Sequence, residues 1–247
     1  MSMRVASIWR HPIKSHGREE LPAVTLVAGE SMPFDRLWAI AHDAAKAEPG
    51  VWASCHHFSR VSKAPALMAV TAQLDEAHGT VTLSHPDRPD LTVNPDTDPD
   101  ALIAWTDPLV PQNRALPSHV MRLDGRGYTD SDFASVTLCN MASHRAVETQ
   151  LDTALSIHRW RGNIWFDSDV PWVEFDWMGR DVRIGDAILR PRERTDRCLA
   201  TTANPHTGRR DADTLKALDA FGHQDFSVRA EVIEGGTIRT GDKVEPL

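Results

Sequence analysis

This sequence predicts a mainly β protein with some helix, of the α+β class, whose short strands close into β-barrels. Three observations carry that expectation. Apolar runs are numerous and short. They are punctuated by Gly, Pro and Asp turn signals. No strictly alternating βαβ series or internal repeat interrupts them, which favours a barrel over a doubly wound sheet. A boundary near residue 100 divides the chain into a smaller β-barrel-like domain, 1–100, and a larger one, 101–247.

The elements follow in order. Residues 5–9, 24–27 and 36–42 read as strands, and 43–50 as a polar loop. Residues 66–74 and 80–84 read as paired strands around His78-Gly79. Residues 85–100 hold four prolines and five aspartates and read as a loop or domain connection. For 101–105 the pattern leaves helix and strand open. Residues 120–123 and 135–139 are strands, and Asn140 is placed to cap a helix running to about Leu151. Residues 157–166 read as a strand interrupted by Gly162, and 181–189 as two short strands around Gly185-Asp186. A short helix, 214–221, presents Leu215, Leu218 and Phe221 on one face behind the cap Asp213. Two or three strands end the sequence, separated at Gly235-Gly236 and Gly241-Asp242.

Composition narrows the function classes. With 247 residues, 41% of them hydrophobic, the chain can bury a substantial core. Its net charge of −8 argues against a general nucleic-acid or anionic-membrane binder. No apolar run approaches the roughly 20 residues of a membrane span, and the N-terminus lacks the apolar core of a signal peptide. The cysteines Cys55, Cys139 and Cys198 form no CxxC pair, so a reducing, cytoplasmic location is expected.

The chemistry concentrates in residues 188–208, ILRPRERTDRCLATTANPHTG. Arg190, Arg192, Arg194 and Arg197 precede Cys198 in a chain that is otherwise acidic. In an extended segment the first three share a face. Positive charge favours a thiolate, which is both nucleophile and metal ligand, and clustered guanidinium groups suit an anionic ligand. A solvated strand face yields the same pattern, and these residues alone leave both readings open. Cys55-His56-His57 is a poor chelator, because neighbours on a strand point to opposite faces. His56 or His57 can still face a substrate from a loop. Cys139 lies in an apolar run and is expected in the core. Cys198 with His206 is a conceivable Cys–His nucleophile pair, although His206 sits in a turn. No G-x-S-x-G, HExxH, P-loop or G-x-G-x-x-G occurs.

Six segments in one order resemble the MOSC family, the molybdenum cofactor sulfurase C-terminal domain preceded by an N-terminal β-barrel domain. They are HPIKS (11–15), DRLW (35–38), WRGNIWF (160–166), RIGD (183–186), RCLATTANPHTG (197–208) and GTIRTGDKV (236–244). The pattern is similar to that of the mitochondrial amidoxime-reducing component and its bacterial relatives, and it spans nearly the whole chain. The resemblance implies a Mo-molybdopterin cofactor, with Cys198 as metal ligand and catalytic residue. It implies that Lys14, Ser15 and Arg36 bind the cofactor phosphate, and that Arg161 and Asn163 read the ring edge or the phosphate of the pterin. It also implies a polar donor within 129–131, assigned to Ser131 though the resemblance does not separate it from Thr129 and Asp130. Two departures stand out: Phe34 replaces an expected Gly, and Trp160 a Phe. The arginines before Cys198 become electrostatic support, and the site an interdomain cleft.

The implied activity is reduction of small N-hydroxylated compounds, namely amidoximes, hydroxylamines and N-hydroxylated bases. Electrons are expected from a separate ferredoxin-, flavin- or cytochrome-type reductase, since no ferredoxin-like cysteine cluster follows Cys198. A carrier of molybdenum cofactor or sulfur, using a Cys198 persulfide without turnover, is the alternative.

Overall fold

The computed structural model describes residues 3–247. The expected mainly β, α+β architecture is present, and its largest element is an eight-stranded curled sheet. The N-terminal region contributes β1 (Arg4–Arg10), β2 (Glu19–Leu21), β3 (Ala23–Leu26) and β4 (Trp38–His42). It continues with β5 (Thr71–Asp75), β6 (Thr80–His85), β7 (Arg88–Val93), helix α1 (Pro99–Thr106) and β8 (Pro117–Arg122). Then come β9 (Val136–Asn140), α2 (Met141–Leu151), β10 (Ile164–Asp167), β11 (Val182–Ile184) and β12 (Ala187–Asp196). The last elements are α3 (Thr214–Asp219), β13 (Asp225–Glu234), β14 (Gly236–Arg239) and β15 (Val244–Pro246).

The large sheet runs β15-β11-β12-β13-β9-β10-β1-β2. Its ends meet: Arg4 bridges Lys243, Val5 N donates to Asp242 O at 2.8 Å, and Val244 N donates to Met3 O at 3.0 Å. This closure turns the sheet into a barrel and leaves β1 no free edge on that side. Alternate residues of each strand fill the interior, among them Val5, Ile8, Leu138, Phe166, Leu189, Val228 and Val232. Each such aliphatic or aromatic side chain, fully buried, contributes roughly 2 kcal/mol. The outer face of β9, β10 and β13 is covered by α2 and α3, which enclose Trp160, Trp165, Leu218 and Phe226.

Around this barrel lie three smaller sheets: β5-β6-β7, β4 with β8, and β3 with β14. The first two share a core with α1 that includes Trp38, Leu67, Leu83, Leu102 and Trp105. No helix among the described residues is long and apolar enough to cross a membrane.

Several local expectations hold for stated reasons. Asn140 ends β9 and caps α2, its Oδ1 accepting from Ala142 N at 2.9 Å. Asp213 caps α3 by accepting from Lys216 N at 3.2 Å. Others are corrected. Residues 85–100 are not merely a connection, because β7 forms there as an edge strand, the position at which a sheet tolerates Pro89. The run 66–74 begins as a 3-10 turn, Pro65–Ala69, and only β5 pairs with β6. Residues 157–160 form a second 3-10 turn, capped by the Ser156 hydroxyl, so the strand starts at Ile164. Residues 101–105 are helical, started by the Asp98 cap and Pro99. On α3 the buried face is Thr214, Ala217 and Leu218, with Phe221 exposed. β2 was not foreseen, since three residues give no period.

One buried acid ties α2 to the sheet. Glu174 has no exposed surface and accepts from Asn140 Nδ2 at 2.9 Å and Ser143 Oγ at 3.1 Å. Burial, outweighing those hydrogen bonds, pushes its carboxyl up from 4.5 to about 7. The folded chain therefore keeps a proton that the unfolded chain releases above pH 4.5, and this contribution to stability is lost as pH rises to 7. Glu174→Gln should gain on the order of 3 kcal/mol relative to the unaltered protein between pH 4.5 and pH 8. Denaturant titrations at the two pH values check it; a constant difference between the proteins refutes it.

Candidate functional site

A cavity of about 390 Å³ gathers the resemblance-derived residues from both ends of the chain. Lys14, Ser15, Arg36, Arg161, Asn163 and Cys198 all line it. So do Trp52, Cys55, His56 and Arg60 from the loop after β4, and Arg197 and Arg229 from the barrel.

Lys14 and Ser15 lie in a tight turn held by His16 N donating to Ile13 O at 3.0 Å. Lys14 is 3% exposed, and its Nζ donates to Tyr128 O at 2.7 Å and Asp130 Oδ1 at 2.5 Å. The cavity wall around the half-exposed Asp130 would raise its carboxyl, but the Lys14 charge and hydrogen bond hold it down to about 2. His16 donates Nδ1–H to Lys14 O at 2.8 Å, and burial lowers its imidazole to about 4, so it stays neutral. Neighbouring Asp35 accepts from His11 N at 2.8 Å and pairs with Arg36. Burial alone would raise Asp35; the Arg36 charge and the His11 bonds hold it below the usual carboxylate range.

The backbone is strained where these side chains enter. Ser15, Arg36 and Arg161 have φ of 66°, 53° and 50°. Left-handed backbone is costly for residues with a Cβ and clusters at functional sites. Phe34 also lies at φ 61°, which is why a glycine is expected there, and its ring meets the Arg10 guanidinium at 5.4 Å.

Arg161 faces the cavity from the turn before β10, and its carbonyl accepts from Arg36 Nη2 at 2.8 Å. Burial, then repulsion from Arg36 and Arg18, lowers its guanidinium to about 9. Its Nη1 is buried with no partner. An orphaned guanidinium nitrogen beside other cations is what an anion would satisfy. Asn163 lines the cavity, but its amide is engaged within the chain: Oδ1 accepts from Thr137 N at 3.1 Å and Nδ2 donates to Trp9 O at 3.2 Å. It pins β1 to β9 behind the site.

The Gly162 between them is fixed by close approach, because an added Cβ would lie 2.1 Å from Cys139 Sγ. Cys139 is fully buried, as expected, and burial pushes its thiol up to about 12. Gly162→Ala should destabilise the fold by about 2 kcal/mol, and adding Cys139→Ala should recover most of it. Melting of the single and double variants decides this; no recovery in the double places the strain elsewhere. Trp160 takes the place of a Phe by stacking on Phe226 at 3.8 Å and donating Nε1–H to His144 Nδ1 at 3.0 Å.

Cys198 lies just past β12, capping the 3-10 turn Leu199–Thr202, with its side chain exposed, and its carbonyl accepts from Thr201 N and Thr201 Oγ1, each at 3.2 Å. Among the four preceding arginines only Arg197 lines the cavity. It is clamped by donation to Trp160 O, Phe226 O and Ser227 Oγ, and burial lowers it to about 10. Arg190 and Arg192 pair with Asp181 and Glu231 on the outside, and Arg194 lies 4.2 Å from the Phe175 ring. They are a solvated strand face.

Ser131 is not brought to the cavity. It is buried behind the wall, donating to Phe133 O at 2.8 Å and bonded to Ser135 Oγ at 2.7 Å, while Thr129, Asp130 and Ser135 line the site. His206 is exposed in an Asx turn outside the cavity, so no Cys–His pair with Cys198 lies in it. Cys55, His56 and His57 form a 3-10 turn, with Cys55 and His56 on the wall, and no metal-holding cluster of acids, His and Cys occurs among the described residues. Sequence reasoning missed Arg60, Arg159 and Arg229. Arg159 is buried and pairs with Asp211, its Nε unpartnered. Arg229 alternates with apolar residues along β13, a period that marked the position but not its purpose.

Lys14, Arg36, Arg60, Arg159, Arg161, Arg197 and Arg229 thus face Asp130 and Asp196 in the wall of a chain whose net charge is −8. Such a cavity selects anions, and the free Cys198 thiol in its wall offers a soft ligand. The class defined is a β-barrel protein with a cationic, thiol-bearing cleft. The chain belongs to the MOSC family: the MOSC N-terminal beta barrel domain matches residues 2–136 and the MOSC domain residues 126–245. MOSC domains are associated with binding of the molybdenum cofactor. No curated protein matches the chain in sequence. Among solved structures, the YuaD protein from Bacillus subtilis is similar over 100% of this chain and 96% of its own, at 12% identity and a TM-score of 0.51, a likeness of fold. YiiM from Geobacillus stearothermophilus matches 45% of this chain and 53% of its own, at 14% identity and a TM-score of 0.37.

Proposed function

We propose that this chain is a molybdenum-cofactor oxidoreductase that reduces N-hydroxylated compounds such as amidoximes, hydroxylamines and N-hydroxylated bases. The observation that carries the reading is the sharing of one cavity by the Cys198 thiol and the cation group Lys14, Arg36 and Arg161. The residues fit the cofactor: the orphaned Arg161 Nη1 and the surplus of cations suit its phosphate, and the thiolate suits a soft, redox-active metal. When bound, the molybdenum cofactor supplies two-electron, oxygen-transfer chemistry.

The chain's own residues bind and orient. Cys198 serves as metal ligand; Lys14, Ser15, Arg36 and Arg161 hold the phosphate end. Arg197 is locked by three acceptors and keeps fixed positive charge beside the thiol. Removing the hydroxyl oxygen as water consumes two electrons and two protons. A separate ferredoxin-, flavin- or cytochrome-type protein provides the electrons, in a reducing, cytoplasmic setting that keeps the thiol free. The exposure of Cys198 also suits a carrier of cofactor or sulfur, with a persulfide on that thiol. Metal and pterin analysis of protein from a cofactor-competent host, with benzamidoxime turnover under a reductant, tests both. Stoichiometric molybdenum with turnover supports the reductase, molybdenum or persulfide sulfur without turnover supports the carrier, and protein lacking molybdenum overturns the reductase.

A further inference from the structure

Beside the main cavity lies a smaller one of about 200 Å³, and the two share His56 and Arg60. We propose that the smaller cavity is an oxyanion subsite, seating a carboxylate or phosphate group of a small molecule that enters the main cavity.

Its charge is one-sided. Arg60, Lys63 and Arg114 line it together with His42 and His56, and no Asp or Glu is among its described lining residues. None of the three cations makes an ion pair among the described residues. Arg60 Nη1 reaches only Cys55 Sγ at 3.3 Å, leaving the rest of its fork for a ligand. Lys63 and Arg114 are exposed, whereas Arg60 is half-buried between the two cavities.

Two buried polar atoms point independently to a missing partner. Ser59 is 6% exposed, and its Oγ has no hydrogen bond. His42 Nδ1 is likewise buried without a partner, although Nε2 donates to His56 O at 2.7 Å. Buried hydroxyls and imidazole nitrogens are rarely left unmade. The backbone beneath them is fixed by Ser59 N donating to Ile40 O at 2.8 Å, so the arrangement is built in rather than a loose loop. The Ser59 hydroxyl and three cations form a donor set for an oxyanion, while His42, which donates through Nε2, offers Nδ1 as an acceptor to a protonated group of the ligand. A ligand spanning both cavities would place its other end in the wall that also holds Cys198. The inference does not depend on which redox group the main cavity holds.

The test uses the purified full chain with histidine-labelled nuclear magnetic resonance and three probes: benzoate, phenyl phosphate and neutral benzamide. His42 lines only the smaller cavity, whereas His56 lines both, and His78 lies far off on the β5–β6 turn. Benzoate or phenyl phosphate should move the His42 signal, leave that of His78 in place, and bind at least roughly tenfold tighter than benzamide. The better anion of the two identifies the group. Lys63→Glu with Arg114→Glu, both exposed, should weaken that binding by about tenfold or more. Ser59→Ala should weaken it by a smaller factor. Anions that bind no tighter than benzamide, that shift His56 but not His42, or that ignore the double charge reversal overturn the proposal.

Discussion

Cys198→Ala is expected to abolish reductive turnover while leaving the fold intact. The thiol makes no hydrogen bond with any described residue, and the local structural task belongs to the Cys198 carbonyl, which Thr201 engages twice. Alanine keeps that carbonyl and the extended backbone of the position, φ −118° and ψ 179°. The melting temperature should therefore move by no more than about 2 °C, since surface substitutions cost within roughly 0.5 kcal/mol. If Cys198 is the metal ligand proposed above, its loss should lower benzamidoxime reduction by roughly 100-fold or more. Pterin should still bind, because the residues proposed to hold its phosphate, Lys14, Ser15, Arg36 and Arg161, are untouched. Retained turnover would remove the cysteine from the chemistry.

Arg161→Ala should separate function from stability in the other direction. Arg161 is crowded by Arg36 and Arg18, lowered to about 9 by burial and those charges, and left with Nη1 unpartnered. An uncompensated buried charge destabilises the unliganded protein. Alanine removes it without changing the left-handed backbone, where any residue with a Cβ bears a similar strain. Protein without cofactor should melt at the same temperature or higher, while pterin content after expression falls at least about tenfold. Inorganic phosphate should raise the melting temperature of the unaltered protein and leave that of the variant unmoved. A variant that loads pterin normally would show that the orphaned nitrogen serves another group.

Much of the fold was legible because local chemistry decided it. Asn140 and Asp213 cap the helices that follow them, and Gly79 turns one hairpin, each acting within a few residues. Edge strands were less legible. β7 carries Pro89 and Asp90, and it is a strand only because β6 supplies partners such as Thr82 opposite Thr92. The 3-10 turn before Arg161 was hidden for a similar reason. Its Ile157 and Trp160 are apolar like a strand, and the turn exists because Ser156 caps it and Trp160 stacks on Phe226.

At the site the division is sharper. By itself the sequence determined the identity of the thiol, the order of the motifs and the alternation that fills the barrel, since these are properties of neighbours along the chain. Only the tertiary structure decided which charges face the cleft. Arg190, Arg192 and Arg194 sit nearest Cys198 in sequence, yet Asp181, Glu231 and Phe175 hold them outside. Arg60, Arg159 and Arg229 come from distant segments and stand in the wall, while Ser131 is turned behind it. Electrostatic energy depends on distance through space and on burial, and strand pairing between remote segments sets both.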